Sequence, residues 1–222
     1  MAFKERLFLM LSAIFLCSLV MANIIGVTKF FTIFGLNIPV GIIPYPITFL
    51  ATDLVCELYG KSRANYLVLT GFFMNIFLLI IMTAGYYAPV DQTWLNSVLQ
   101  SNNPGAAATF DNVYGLMIRG TAASMIAYLT AQLIDVRLFH FWKDLTKGKH
   151  LWLRNNGSTM ISQLVDTSAV TLIIFVGVLP FSTILEYIFF GYIFKFFFAL
   201  FDTPFFYLFV KLLKNKVGEE SA

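Results

Sequence analysis

Apolar residues come in long runs along this chain, separated by short polar stretches. A helix that spans a hydrocarbon core of about 30 Å needs about 20 such residues. Six runs qualify, at 7–27, 38–59, 64–86, 113–139, 158–179 and 184–213. The second contains Pro39, Pro44 and Pro46. Each proline removes a backbone donor, so the pattern predicts an irregular start, NIPVGIIPYP, followed by a helix from about Ile47. Irregular backbone at membrane depth is tolerated only where protein or water covers it. A polar segment, 88–112, separates the third run from the fourth. The expectation is an all-α polytopic membrane protein of six transmembrane helices, with residues 1–222 forming a single transmembrane domain and the second span broken by prolines.

Charge sets the orientation. Lys4 and Arg6 precede the first run, and Lys61 and Arg63 separate the second from the third. Arg137, Lys143, Lys147, Lys149 and Arg154 lie between the fourth and fifth, and Lys211, Lys214 and Lys216 follow the sixth. Only Lys29 falls on the opposite side. The positive-inside rule then places both termini in the cytoplasm. The net charge of +3 is thereby explained by topology and gives no sign of nucleic-acid binding.

Composition agrees. Only 12% of residues are charged, against about 25% in ordinary soluble domains, and mean hydropathy is +0.78. Phe occurs 25 times; lipid-facing helices expose it freely, whereas a soluble surface does not. The basic, apolar N-terminus has no A-x-A-like cleavage site, so it reads as a span that stays attached. Cys17 and Cys56 both fall in apolar runs and read as inert thiols. His140 and His150 stand apart from any ligand cluster, so neither a metal nor a cofactor is expected. No G-x-S-x-G, H-E-x-x-H or paired membrane histidine suggests an enzyme. The Phe-rich sixth span can face lipid or a second subunit, so a homodimer is an open alternative.

Charged and amide groups inside the apolar runs carry the functional signal. A charge near the bilayer centre costs about 2.5–3.5 kcal/mol on insertion scales, so it needs a partner or a task. Asp53, Glu57, Asp135, Asp166, Glu186 and Asp202 lie in or at the ends of runs, with Arg119 and Lys195 as the cations. Gln-Leu-(Ile/Val)-Asp occurs twice, at Gln132–Asp135 and Gln163–Asp166. Most of these acids fall in the cytoplasmic half. Asp53 and Glu57, four residues apart, share a helix face; so do Lys195 and Asp202. Arg119 and Asp135 point about 160° apart on a straight helix.

Structural readings compete at each position. Asp53 and Glu57 could pair with Lys61 or Arg63, Asp135 with Arg137 or Arg154, and Asp166 with Lys195. Glu186 sits at the outer boundary in water. The glutamines could be hydrogen-bonding glue between helices. Together, however, carboxylates and amides on several helices point to a polar cavity near mid-membrane. Carboxylate acceptors, amide donors and aromatic faces suit a flat nitrogen heterocycle with several N–H donors, or an organic cation; they suit a phosphate badly.

Three stretches carry a family resemblance: PITFLATDLVCELYGK (46–61), the 127–167 run ending STMISQLVDT, and ANIIGVTKF (22–30). With them the chain resembles the queuosine precursor transporter family, also grouped as the vitamin-uptake family, along nearly its whole length. The resemblance implies import of 7-cyano-7-deazaguanine and 7-aminomethyl-7-deazaguanine across the bacterial inner membrane by a multi-pass protein. It also implies kinship with the six-helix, vitamin-binding S-components of energy-coupling-factor transporters. The chain has no G-x-x-x-x-G-K-(S/T) loop of its own for ATP.

A carboxylate can accept from N1–H and the 2-amino group of such a base, and a Gln amide can donate to O6. Asp166 and Gln163, with Asp135 and Gln132, are the expected recognition set. Asp53, Glu57, Lys195, Asp202 and Asn23 are further substrate-binding candidates. The alternative is uptake of another vitamin or nucleobase, or a substrate-binding S-component working with an energising partner. Proton coupling and facilitated diffusion are both compatible with the sequence.

Overall fold

A computed structural model describes residues 2–26, 28–33, 36–177 and 179–219. Six long helices dominate it: α1 (Phe3–Ile25), α2 (Tyr45–Tyr59), α3 (Lys61–Tyr87), α5 (Thr109–Leu145), α6 (Leu151–Phe175) and α7 (Phe181–Glu219). A short helix, α4 (Gln92–Leu99), lies in the polar segment. An antiparallel hairpin, β1 (Phe30–Ile33) and β2 (Leu36–Pro39), leads into a 3-10 turn at Val40–Ile42.

The second span begins irregularly, as its prolines require. Helix α2 starts at Tyr45, two residues before the expected Ile47, with Pro46 in its first turn, where a missing N–H costs nothing. Its 15 residues rise only about 22 Å, so the hairpin and 3-10 turn complete the outer part of the span. Gly41 of that turn lies against α1: a Cβ there would meet Gly26 Cα at 2.6 Å and Ala22 O at 3.0 Å. At the other end of α2 the chain reverses into α3 through Gly60, whose φ of +83° suits glycine.

Among the described residues, five helical segments are long and apolar enough to cross a membrane: Phe3–Ile25, Val40–Tyr59, Lys61–Tyr87, Gly120–Leu145 and Phe181–Lys214. Helix α6 is as long as these but less apolar, and its burial pattern gives the reason. It sits between α5 and α7. Its buried residues, which include Asn155, Thr159, Ser162, Gln163, Asp166, Thr167 and Thr171, are all polar among those described. They recur every three or four positions and so form one stripe facing inward. Trp152, Ile161, Leu164 and Ile173 face outward. This is the reverse of a soluble amphipathic helix and is what a bilayer solvent favours.

Two boundaries differ from those the runs predict. Helix α5 continues to Leu145, and α6 begins at Leu151. Arg154 therefore lies in the first turns of α6, buried to 3% exposure, and not in a solvated loop. Glu186, by contrast, is exposed at the outer end of α7, as expected.

An apolar core of α1, α2, α3, α5 and α7 side chains, among them Phe15, Leu54, Val68, Val136 and Phe206, holds the bundle together. Its tightest point is Gly71 on α3. A Cβ there would lie 2.5 Å from Tyr128 Oη and 2.9 Å from both Leu19 and Phe15. Gly71→Ala is expected to cost about 1–3 kcal/mol by overpacking, read as a lower thermal midpoint of the purified protein in detergent. A midpoint equal to wild type would contradict this packing.

Candidate functional site

A cavity of about 310 Å³ opens between α1, the irregular start of the second span, α5, α6 and α7. That volume is at the lower end of the range for small-molecule sites, about 300–1,000 Å³. Its lining comes from the C-terminal half of α1 (Leu19, Asn23), the N-terminal half of α5 (Met117, Thr121, Ser124) and the C-terminal half of α6 (Asp166, Thr167, Thr171). In the orientation that the basic residues predict, with both termini in the cytoplasm, these are all outer halves and the cavity faces the outer side. The proline-rich stretch contributes Gly41, Ile42 and Tyr45. Irregular backbone at membrane depth thus coincides with a cavity wall, as the cost of unsatisfied backbone groups demands.

Asp166 forms the floor. Lys195 Nζ donates to Asp166 Oδ2 at 2.7 Å, and Tyr45 Oη donates to the same oxygen at 2.5 Å. The Lys195 ammonium also lies 4.5 Å from the centre of the Tyr45 ring, a cation–π contact. Both bonds end on Oδ2, so neither occupies Oδ1. On the wall, Asn23 Nδ2 donates to Asn75 Oδ1 at 2.9 Å, and Ser124 Oγ donates to Asn23 Oδ1 at 3.4 Å. These bonds join α1, α3 and α5 beside the cavity.

A second, much smaller pocket lies beneath, lined by Tyr45, Thr159, Gln163, Lys195 and Asp202 among others. Gln163 is 4% exposed and its Oε1 has no donor among the described residues. Below it, Thr159 Oγ1 donates to Asp53 Oδ2 at 3.2 Å and Ser162 Oγ to Asp135 Oδ1 at 2.9 Å. Thr52 Oγ1 donates to Gln132 Oε1 at 3.4 Å.

At the cytoplasmic end Glu57 collects three cations from three helices: Arg154 of α6 at 2.9 Å, Lys214 of α7 at 2.9 Å and Lys143 of α5 at 3.3 Å.

The expected residues thus fall into layers. Asp166, Lys195 and Asn23 line the cavity; Gln163 and Asp202 line the small pocket with Lys195; Asp53, Asp135 and Gln132 lie deeper; Glu57 closes the cytoplasmic end. Asp135 and Gln132 do not reach the cavity that Asp166 lines, so the two Gln-Leu-x-Asp units serve different layers.

Several expected pairings are replaced. Arg63 binds Glu5 at 2.9 Å, not Asp53 or Glu57. Arg154 goes to Glu57, and Asp135 takes a serine hydroxyl. The Asp166–Lys195 pair is present as anticipated. The side chain of Arg119 lies outside the described residues. Tyr45, Asn75, Thr121 and Thr167 were not legible as site residues. Of these, only Asn75, a lone amide in an apolar run, and Tyr45, set between two prolines, left a signal in the sequence.

A helical bundle with a mostly apolar cavity over a buried charge pair, and with a broken span, has the architecture of a multi-pass membrane transport protein. Residues 39–209 match the family described as "Putative vitamin uptake transporter", and the chain belongs to that family. It is 29% identical over 191 residues to the "Probable queuosine precursor transporter" of Bacillus subtilis (strain 168), an alignment covering 85% of this chain and 79% of the relative. It is 26% identical over 144 residues to the "Queuosine precursor transporter" of Escherichia coli (strain K12), covering 65% of this chain and 58% of the relative. No solved structure gives a significant match.

Proposed function

We propose that this protein spans the bacterial inner membrane six times and imports the 7-deazaguanine precursors of queuosine, 7-cyano-7-deazaguanine and 7-aminomethyl-7-deazaguanine. The names of the two relatives support the substrate class. The observation that carries the reading at residue level is the Asp166–Lys195–Tyr45 cluster on the floor of an otherwise mostly apolar cavity.

A guanine-like edge presents two adjacent N–H donors beside a carbonyl. Asp166 supplies acceptors for the donors, with Oδ1 taken by neither protein bond. To use Oδ2 as well, the base displaces Lys195, whose ammonium then serves the O6 carbonyl. Recognition by exchange keeps both charges hydrogen-bonded throughout, which a low-dielectric site requires. The aromatic ring of Tyr45 and the apolar faces of Leu19 and Met117 bound the slot. Gln163 stands just beneath, with its unpaired Oε1 available to a donor. Asp53, Asp135, Gln132 and Glu57 belong to deeper layers in this reading and make no contact with the base.

A binding panel on the purified protein separates this reading from uptake of a different vitamin or nucleobase. The 7-deazaguanines are expected to bind at least about tenfold more tightly than adenine or a water-soluble vitamin such as pantothenate. The reason is that ligands lacking the N1–H and 2-amino pair offer Asp166 nothing in exchange for Lys195. Tighter binding of adenine or of the vitamin would contradict it.

A further inference from the structure

Beneath the cavity lies a set of acids that recognition of the base does not use. Asp53 on α2 and Asp135 on α5 are 1% and 0% exposed. One turn of α6 holds both, Thr159 bonding Asp53 at 3.2 Å and Ser162 bonding Asp135 at 2.9 Å, which brings the two carboxyl groups together. Asp53 Oδ1 and Asp135 Oδ2 have no donor among the described residues. Asp202 on α7 lines the small pocket with Thr159 and Gln163 and also keeps an orphaned oxygen. Two neutral amides point into this region with buried, unpaired oxygens, Asn155 Oδ1 (1% exposed) and Gln163 Oε1. The layer has a surplus of acceptors and lacks hydrogens.

No cation is free to supply the balance among the described groups. On α2, Tyr45 and Asp166 of α6 lie above, and Cys56 and Glu57 lie beside or below. Lys195 of α7 is committed to Asp166. Lys143 of α5, Arg154 of α6 and Lys214 of α7 are committed to Glu57. Two ionised carboxylates in contact at low dielectric repel strongly, so a proton is the counter-charge that this geometry accepts. Helical rise places the layer about 10–12 Å below the cavity floor, whether counted from Tyr45 to Asp53, Asp166 to Thr159, or Lys195 to Asp202. The small pocket lined by Lys195, Gln163 and Asp202 lies between the two levels.

We propose that Asp53 and Asp135 form the proton-binding site that couples uptake to the proton gradient, with Asp202 relaying between it and the cavity. One proton binds from the outer side while the cavity is open, and leaves to the cytoplasm with the solute. Lys195 lines both the cavity and the small pocket that holds Asp202, so its shift from Asp166 to the base changes the charge beside the acid layer. Solute binding and protonation of the acid layer are thereby linked. This rests on the uptake reading above.

Two measurements test it. The first needs no substrate: the infrared spectrum of the purified protein at neutral pH should contain the carbonyl band of a protonated, buried carboxylic acid. That band should be lost or shifted in Asp53→Asn and Asp135→Asn. Its absence from the wild type would overturn the proposal, whatever the substrate proves to be. The second uses proteoliposomes and 7-cyano-7-deazaguanine. An inside-alkaline gradient of one pH unit should support about tenfold accumulation for one proton per solute, and Asp135→Asn should lose that stimulation while still binding the base. Uptake that ignores the pH gradient, or that follows a sodium gradient instead, would overturn the proton assignment and leave the substrate reading standing. A wild type that shows the band but transports neither precursor would place the failure in the substrate reading, with the proton site supported.

Discussion

Asp166→Ala is expected to lower affinity for the 7-deazaguanine base by at least about a hundredfold. Hydrogen bonds to charged groups contribute about 1.5–3 kcal/mol each, and two are lost, so the expected range is about 10²–10⁴ at 1.4 kcal/mol per tenfold. The substitution also strips Lys195 of its carboxylate. Lys195 keeps 19% side-chain exposure, so water in the cavity can solvate its ammonium. Recognition should therefore suffer more than folding. Asp166→Asn sharpens the test: it preserves shape but turns an N–H donor toward the N–H groups of the base. Lys195→Met should cost less, about ten- to a hundredfold, because it removes one bond. Titration calorimetry on the purified proteins measures all three. Wild-type affinity in Asp166→Ala would remove Asp166 from the recognition site.

Glu57→Gln is expected to be the most destabilising polar substitution, at about 3–5 kcal/mol. The three cations around Glu57 are not equivalent. Lys214 is 60% exposed and Lys143 32%, so each pairing is well screened and contributes about 1 kcal/mol or less. The Arg154 side chain is 4% exposed, and apart from Glu57 its guanidinium donates, among the described residues, only to the Gly148 carbonyl, at 3.1 Å. Removing the carboxylate leaves that cation buried and unpaired, the costly case. Thermal unfolding in detergent should rank Glu57→Gln and Arg154→Ala far below wild type, with Lys214→Ala close to it. Equal losses for Arg154→Ala and Lys214→Ala would contradict the burial argument. Glu57 thus ties α2 to α5, α6 and α7 at one end of the bundle.

The helices were legible in the sequence because a bilayer imposes a length on apolar runs. Six such runs became six long helices, and the prolines before Tyr45 marked the one irregular start. The boundaries of α5 and α6 were not legible. Arg137 to Arg154 reads as a solvated basic loop, and a charge run ordinarily is one. Here the turn shrinks to a few residues around Gly148, and Arg154 is drawn inward by Glu57, which lies 97 positions earlier in the chain.

The acids were visible as candidates because each stands alone in an apolar run. Their partners were not, because contacts across a bundle ignore sequence distance: Tyr45 reaches Asp166 across 121 positions and Lys214 reaches Glu57 across 157. Sequence neighbours such as Lys61 and Arg63 looked like natural partners for Glu57, yet Arg63 turns to Glu5 on α1. Neutral wall residues such as Thr121 and Ser124 gave no signal at all, since hydroxyls are common in membrane helices, where they bond to their own backbone, as Ser124 does to the Thr121 carbonyl at 3.1 Å. Helical phase grouped the acids by face but could not separate them by layer. The division between the cavity floor at Asp166 and a deeper acid layer at Asp53 and Asp135 emerged only from the packing of α2, α5, α6 and α7.

Uptake of labelled 7-cyano-7-deazaguanine by proteoliposomes containing only this protein tests the central claim most directly. The expected result is saturable uptake, competed by unlabelled 7-aminomethyl-7-deazaguanine and abolished by Asp166→Ala. Uptake no faster than in protein-free liposomes, from protein shown to be folded, would contradict it.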